Sequence, residues 1–391
     1  MKNCNFTNKY NPLTTLVKSS LFLLAGLATW ANANYLTNFG DPNTNQLING
    51  LNQHSVHIVV LGDSHTAGDT MTDALRRYLQ DELGDGGMGW AMPMYIKGQR
   101  MARFGYDNNA FSYVYSRTNT HENYTLGGMI AKPNTVGATL TLKPKHTESP
   151  QQLMMTLRQD AGDGVFHATD MAGRTFEIES PTKDGTWQTV SLGQVQLPIT
   201  LTNANASNLA IGGWWAFNPN GRGAVVSALG INGAQLSQFN RWNTQAWQRE
   251  LGVISPTVVA LAYGTNEGYN AITGEQMSHE LTTRIRQIRK AVPNAVVLII
   301  SAPESLKSLS GRCGVRPSTL DDVQSAQRRV AQHERTLYWD WQGYMGGVCT
   351  MKSWVNSGRA SKDGVHFLAT GYTQIGHQLA KDLLMLAEPK R

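Results

Sequence analysis

The chain has 391 residues, 41% hydrophobic and 16% charged, with a formal charge of +6 and a mean hydropathy of −0.33. That length exceeds the roughly 250–300 residues at which a single core stops growing, so it provides for two cores. The 38 Gly, 14 Pro and 10 Trp are scattered without period, which excludes collagen-like, coiled-coil and disordered classes.

At the N-terminus Lys2, Lys9 and Lys18 come with no acid, then the apolar run Leu21–Trp30, then Ala31-Asn32-Ala33. The run is half the ~20 residues of a membrane span, and the basic, apolar, small-x-small order predicts a secretory signal over residues 1–33, cleaved after Ala33. Its removal takes three lysines and leaves 31 basic residues against 28 acidic ones, with no Lys/Arg run of five. A nucleic-acid partner thereby loses its electrostatic basis. Cys4 departs with the signal, leaving Cys313 and Cys349 in a chain bound for an oxidising compartment, where a disulfide is expected and two buried thiols are the alternative. Neither a Cys-x-x-Cys nor a ligand set around His54 and His57 suggests a metal.

Val56–Leu61 is a short β-branched run ending at Gly62, the pattern of a strand buried on both faces, and Thr66–Leu83 follows as a helix. Strand-then-helix units recur at Val225–Leu229 with Ala234–Leu251, and at Thr257–Ala262 with Gly274–Val292. Ala295–Ser301 with Thr319–Arg335, and Thr336–Asp340 with Gly371–Ala387, complete an α/β fold with a five-stranded parallel sheet. Between them the texture changes to alternating runs such as Ala138–Lys143, Trp187–Leu192 and Ile199–Thr202. These predict an antiparallel sandwich, inserted at Ile96–Arg222 between the two α/β segments 34–95 and 223–391. Trp187 fits its core, whereas adjacent Trp214 and Trp215 point one ring each way if they lie in a strand.

The chemistry sits at strand ends. Gly62-Asp63-Ser64-His65-Thr66 places a serine where a strand breaks into a helix, with backbone amides free to face an anion. Taken alone it also fits an Asp or Ser N-cap. Asp363-Gly364-Val365-His366 sets a carboxylate three residues before an imidazole, within reach of one turn, as a serine relay requires. Gly230-Ile231-Asn232-Gly233 and Gly264-Thr265-Asn266-Glu267 follow the second and third strands. Each suits oxyanion donors, and each read singly is also an ordinary βα turn.

In conjunction these segments resemble the SGNH hydrolases: Ser64, Gly233, Asn266 and Asp363/His366 match the four motif residues in type, order and strand position. Trp339-Asp340-Trp341, Met345-Gly346-Gly347, Gly371-Tyr372 and the large β insertion further resemble the exported peptidoglycan O-acetylesterases of Gram-negative bacteria. One departure is Glu267, where many SGNH enzymes carry Asp. The resemblance implies a three-layer fold with an insertion like a carbohydrate-binding module. It also implies Ser64 as nucleophile, His366 as base, Asp363 as its orienter, and an oxyanion held by the Ser64 and Gly233 N–H groups and the Asn266 amide. The substrate implied is the acetyl ester on the C6 hydroxyl of N-acetylmuramic acid in periplasmic glycan strands, with no metal or organic cofactor. Two alternatives stay open: another exported carbohydrate acetylesterase or short-chain lipase of this fold, and a glycan-binding protein that has lost catalysis.

Overall fold

The structure is a computed structural model that describes residues 34–205 and 209–388; the expected signal, 1–33, lies outside the described residues. Six strands form the central sheet: β1 (Leu36–Asn38), β2 (Ser55–Gly62), β3 (Gly223–Gly230), β4 (Val258–Ala262), β5 (Val296–Ile300) and β6 (Leu337–Trp339), in the order β1-β6-β5-β4-β2-β3. β2 to β6 run parallel, while β1 adds an antiparallel edge against β6 that the sequence reading does not contain. A three-residue strand offers too few alternations to show a period.

Alternate side chains of each strand enter different layers. Val56, Ile58 and Val60 join Val258, Ala260, Val296 and Leu298 in a cluster with the helices α1 (Thr44–Asn52), α3 (Thr70–Leu83) and α10 (Ala369–Leu384), whose Leu47, Leu75 and Leu379 are buried there. Val59, Leu61, Val259 and Val297 face the other way, onto α4 (Thr244–Ile254), α6 (Gly274–Ala291) and α7 (Leu320–Glu334). Burial on both faces is what selects the unbroken β-branched runs, each such side chain contributing about 1.5–3 kcal/mol.

Two expected helices are divided. Thr66–Leu83 is split into α2 (Ser64–Ala67) and α3, because Asp69 takes a left-handed backbone and its carboxylate accepts from Thr72 Oγ1 at 2.6 Å, Arg76 Nη2 at 3.1 Å and Ala102 N at 2.6 Å. Ala234–Leu251 becomes a 3₁₀ turn at Leu236–Arg241 and then α4, restarted by Asn243, whose side chain caps Ala246 N at 3.0 Å.

The β module is built of two antiparallel sheets. One orders Thr175–Ile178, Phe166–Asp170, Ile199–Asn203, Thr139–Pro144 and Phe104–Asn109. The other orders Trp187–Val195, Gln151–Arg158, Ala210–Phe217, Met129–Pro133 and Phe111–Tyr115. Gly89–Ala91, before the expected start at Ile96, pairs with Trp214–Ala216 in this second sheet. Nor does the module keep a core to itself: Trp90, Trp187, Trp214 and Trp215 share one continuous cluster with Leu229, Trp247 and Leu251 of the α/β layer.

Trp214 and Trp215 do lie side by side in one strand, but neither ring is left exposed. Both are fully buried, because one face of their strand meets the opposing module sheet and the other meets the α/β layer. Trp214 Nε1 donates to Pro93 O at 3.1 Å, and Trp215 Nε1 to Glu250 Oε1 at 2.9 Å. Neither ring can serve as a glycan-stacking face. Glu250, on α4, also accepts from Thr125 Oγ1 at 2.6 Å, Thr156 Oγ1 at 2.8 Å and Leu126 N at 3.3 Å. Burial pushes its pKa up against the pull of those donors. Glu250→Ala should therefore cost about 2–4 kcal/mol in chemical denaturation by stranding buried donors, with Glu250→Gln much closer to the parent.

Candidate active site

β3, β2 and β4 are paired in register so that Gly230, Gly62 and Ala262 finish side by side. A side chain at Gly62 would come within 2.2 Å of Thr66 Oγ1 and 2.9 Å of Ala262 O, so only glycine lets the chain turn here. Asp63 then accepts from His65 N at 3.0 Å and starts α2, which leaves the N–H of Ser64 at the helix mouth without a hydrogen-bond partner among the described residues.

Ser64 Oγ lies 2.9 Å from His366 Nε2, and His366 Nδ1 lies 2.8 Å from Asp363 Oδ2. The other carboxylate oxygen of Asp363 accepts from Val365 N at 2.8 Å and His366 N at 2.9 Å, closing the loop into a tight turn. Partial burial pushes the Asp363 pKa up, but these hydrogen bonds and the imidazole outweigh it and hold the pKa below the ordinary value. An ionised carboxylate thus faces Nδ1, directing the lone pair of Nε2 at the serine.

The loop is braced from behind. Leu306 N donates to Gly364 O at 2.8 Å, and Tyr269 OH donates to Leu306 O. Buried Glu304, two residues earlier, accepts from Gln342 Nε2 at 2.7 Å, Arg316 Nε at 3.0 Å and Cys349 N at 3.2 Å. Cys313 and Cys349 are joined in a disulfide with Cα atoms 4.7 Å apart, so the bridge and Glu304 fasten one segment. Under the catalytic ring sits His65, its Nδ1 2.8 Å from Tyr372 OH and its ring centroid 5.5 Å from that of His366. Burial lowers the His65 pKa to about 3, so it adds no charge beside the base.

The opposite wall holds the donors. Gly233 has φ +71° and an N–H that, among the described residues, is unpaired. Asn266 lies in the first turn of α5 (Thr265–Tyr269), and its Nδ2 donates to Ala234 O at 2.9 Å and, more weakly, to Asp63 Oδ2 at 3.4 Å. Ser64, Gly233, Asn266, Tyr269, Val365 and His366 all line one cavity of about 360 Å³. The structure therefore brings together all five residues singled out from sequence: the Ser64 hydroxyl on the His366 imidazole, that imidazole on the Asp363 carboxylate, and Gly233 and Asn266 on the wall of the same cavity.

A solved structure of a peptidoglycan O-acetylesterase in action is 38% identical, with a TM-score of 0.81, and the match covers 90% of this chain and 99% of that one. The chain belongs to the peptidoglycan O-acetylesterase family. It is an esterase. Family models agree: the peptidoglycan O-acetylesterase N-terminal model matches residues 86–200, and the GDSL-like lipase/acylhydrolase model matches residues 198–374. Two more distant solved structures are a putative GDSL-like lipase from Parabacteroides merdae and a family two carbohydrate esterase from Cellvibrio japonicus. The lipase is 17% identical with a TM-score of 0.32, covering 42% of this chain and 73% of that one. The carbohydrate esterase is 11% identical with a TM-score of 0.30, covering 72% and 99%. No curated protein sequence matches the chain.

Sequence reasoning named Glu267 only as a departure from the family pattern, yet in this esterase it underpins the donor wall. Glu267 accepts from Gly264 N at 2.9 Å and Leu236 N at 2.7 Å, tying the Asn266 turn to the segment after Gly233. Burial raises its pKa to about 7, and burial together with the charge of Glu267 raises that of Asp63 to about 8. In the unfolded chain both carboxyls titrate near about 4, so between about pH 4 and 8 the native state holds protons that the unfolded state releases. Their contribution to stability accordingly falls as pH rises through this window. Asp63→Asn and Glu267→Gln should each flatten that decline in urea denaturation between about pH 5 and pH 8. A variant whose stability tracked the parent over the whole range would show that the replaced carboxyl titrates normally.

Proposed function

We propose that this esterase removes acetyl groups from the C6 hydroxyl of N-acetylmuramic acid in peptidoglycan, through an acetyl-serine intermediate. The observation that carries the reading is the relay from Ser64 through His366 to Asp363, set in a chain 38% identical to a peptidoglycan O-acetylesterase over nearly its full length. The substrate lies outside the cytoplasm, so residues 1–33 are read as an export signal and the periplasm as the place of action, where a Cys313–Cys349 bridge persists.

Ser64 Oγ attacks the acetyl carbonyl while His366 Nε2 accepts its proton. The negative oxygen that forms is met by the N–H groups of Ser64 and Gly233 and by Asn266 Nδ2. As the tetrahedral adduct collapses, the bond to the sugar oxygen breaks and His366 returns the proton to it, freeing the C6 hydroxyl. Water then attacks the acetyl-serine with His366 again as base, releasing acetate and restoring Ser64. Each step is carried by the chain's own groups and water. Asp363 keeps the imidazole in the tautomer that both half-reactions require. In this reading the β module meets the glycan strands, through faces other than Trp214 and Trp215.

Acetate measured from O-acetylated peptidoglycan, against the same material stripped of its acetyl groups by mild base, tests the assignment. Release from the first alone, with a free C6 hydroxyl on the recovered muramic acid, is the expected result. Faster release from acetylated plant glycan or short-chain lipid would reject the substrate. Three variants test the roles: Ser64→Ala should lower kcat by several orders of magnitude with the fold intact. Asp363→Asn should lower it about 10³–10⁴-fold through the wrong tautomer, and Asn266→Ala about 10²–10³-fold through loss of one donor.

A further inference from the structure

The α/β layer holds the loop after β3 on either side of Gly233, at Ile231 and at Ala234 and Leu236, but not at Gly233 O or at the Asn232 side chain. Ile231 N donates to Gly62 O at 3.0 Å and Ala234 N to Ile231 O at 3.0 Å, which closes the turn, but among the described residues no group of the α/β layer bonds to the N–H or the C=O of Gly233 itself. At φ +71° Gly233 has no side chain to restrain its backbone, so contacts from outside the turn bear on the direction of its N–H. Two tethers reach it from the β module. Arg117 Nε donates to Gly233 O at 3.2 Å, and Asn232 Nδ2 donates to Gly98 O at 2.5 Å, on the residue just before Gly233. The Nε–Nη2 edge of the guanidinium also points at the glycine: a Cβ there would stand 3.3 Å from Arg117 Nε, 3.4 Å from Nη2 and 3.8 Å from Cζ.

Both tethers are rooted. Ser116, preceding Arg117, donates from N to Gly128 O at 2.8 Å and accepts at Oγ from Trp242 Nε1 at 2.9 Å. Arg241 Nη1 donates to Ser116 O at 2.6 Å and Arg117 O at 3.0 Å. On the other side, Arg100, two residues beyond Gly98, donates from N to Ala67 O at 3.0 Å, on the short helix that begins with Ser64. The module thus spans the nucleophile helix and the donor loop.

We propose that Arg117 is a positioning residue of the esterase, and that with Gly98 it makes the β module part of the oxyanion site by fixing Gly233. This rests on the reading of Ser64 and Gly233 given above. A positioned donor matters when charge develops on the substrate oxygen and little when the substrate merely binds. Loss of Arg117 therefore lowers kcat and leaves KM nearly unchanged, on any acetyl ester whatever its size.

The test uses 4-nitrophenyl acetate and the rate at which a fluorophosphonate labels Ser64, since both pass through an oxyanion at the same place. Arg117→Ala should lower kcat and the labelling rate together by about 10-fold, short of the 10²–10³-fold for losing a donor outright, and Arg117→Lys should recover part of the loss. Asn232→Ala, which cuts the second tether, should act in the same direction and replaces Arg117→Ala should that variant fold poorly. Unchanged kcat and labelling in well-folded variants would overturn the proposal. So would a loss confined to peptidoglycan, which would make Arg117 a glycan contact instead. Labelling of the unmodified esterase at a residue other than Ser64 would remove the underlying reading itself, and the two failures are told apart by the site of the label.

Discussion

The backbone ladder that pairs β2 with β3 on one side and β4 on the other brings Gly62, Gly230 and Ala262 to a common edge. From that edge Ser64, Gly233 and Asn266 each follow within two to four residues of the strand end. Had either neighbour slipped by one position, its side chains would exchange faces and its turn would move by ~3.3 Å, more than a hydrogen bond tolerates. The register is held by burial of both faces, so the precision of the site derives from the hydrophobic layers beneath it.

Above this edge the fold uses buried acids as pins. Glu250, on α4, takes its hydrogen-bond donors from the module, Asp69 bends the segment after Ser64 while reaching Ala102, and Glu304 holds the disulfide segment against the loop that braces Gly364. Each joins pieces distant in sequence, and each is surrounded by donors, the condition under which a carboxylate can leave water. Asp63 and Glu267 also accept backbone hydrogen bonds, but there burial outweighs them and favours the protonated carboxyls.

Much of this was legible because the chemistry is local. Ser64, Asn266 and the Asp363–His366 pair each lie in a short segment at the end of a buried apolar run, and their order along the chain carries the remaining information. Contacts of long range were not legible: 116 residues separate Arg117 from Gly233, and no periodicity encodes such a meeting. Trp214 and Trp215 misled for a related reason. Alternation along a strand places successive rings on opposite faces, yet it says nothing of what covers each face, and here both faces are covered. The division at Asp69 was hidden because the apolar stripe of Thr66–Leu83, formed by Met71, Leu75, Tyr78 and Leu79, begins only after it and marks no break.

Trp90, Trp187, Trp214 and Trp215 pack in one cluster with Leu229, Trp247 and Leu251, so the boundary between module and catalytic layer is apolar, where separable domains meet through polar, thinly packed surfaces. Such a seam couples the melting of one part to the other, and denaturant meets a single cooperative body. It also bears on descent. A module joined by a flexible linker can be exchanged like a cassette, but this one could be lost or replaced only alongside changes in the sheet face and helix beneath it, so the two parts are bound to diverge together.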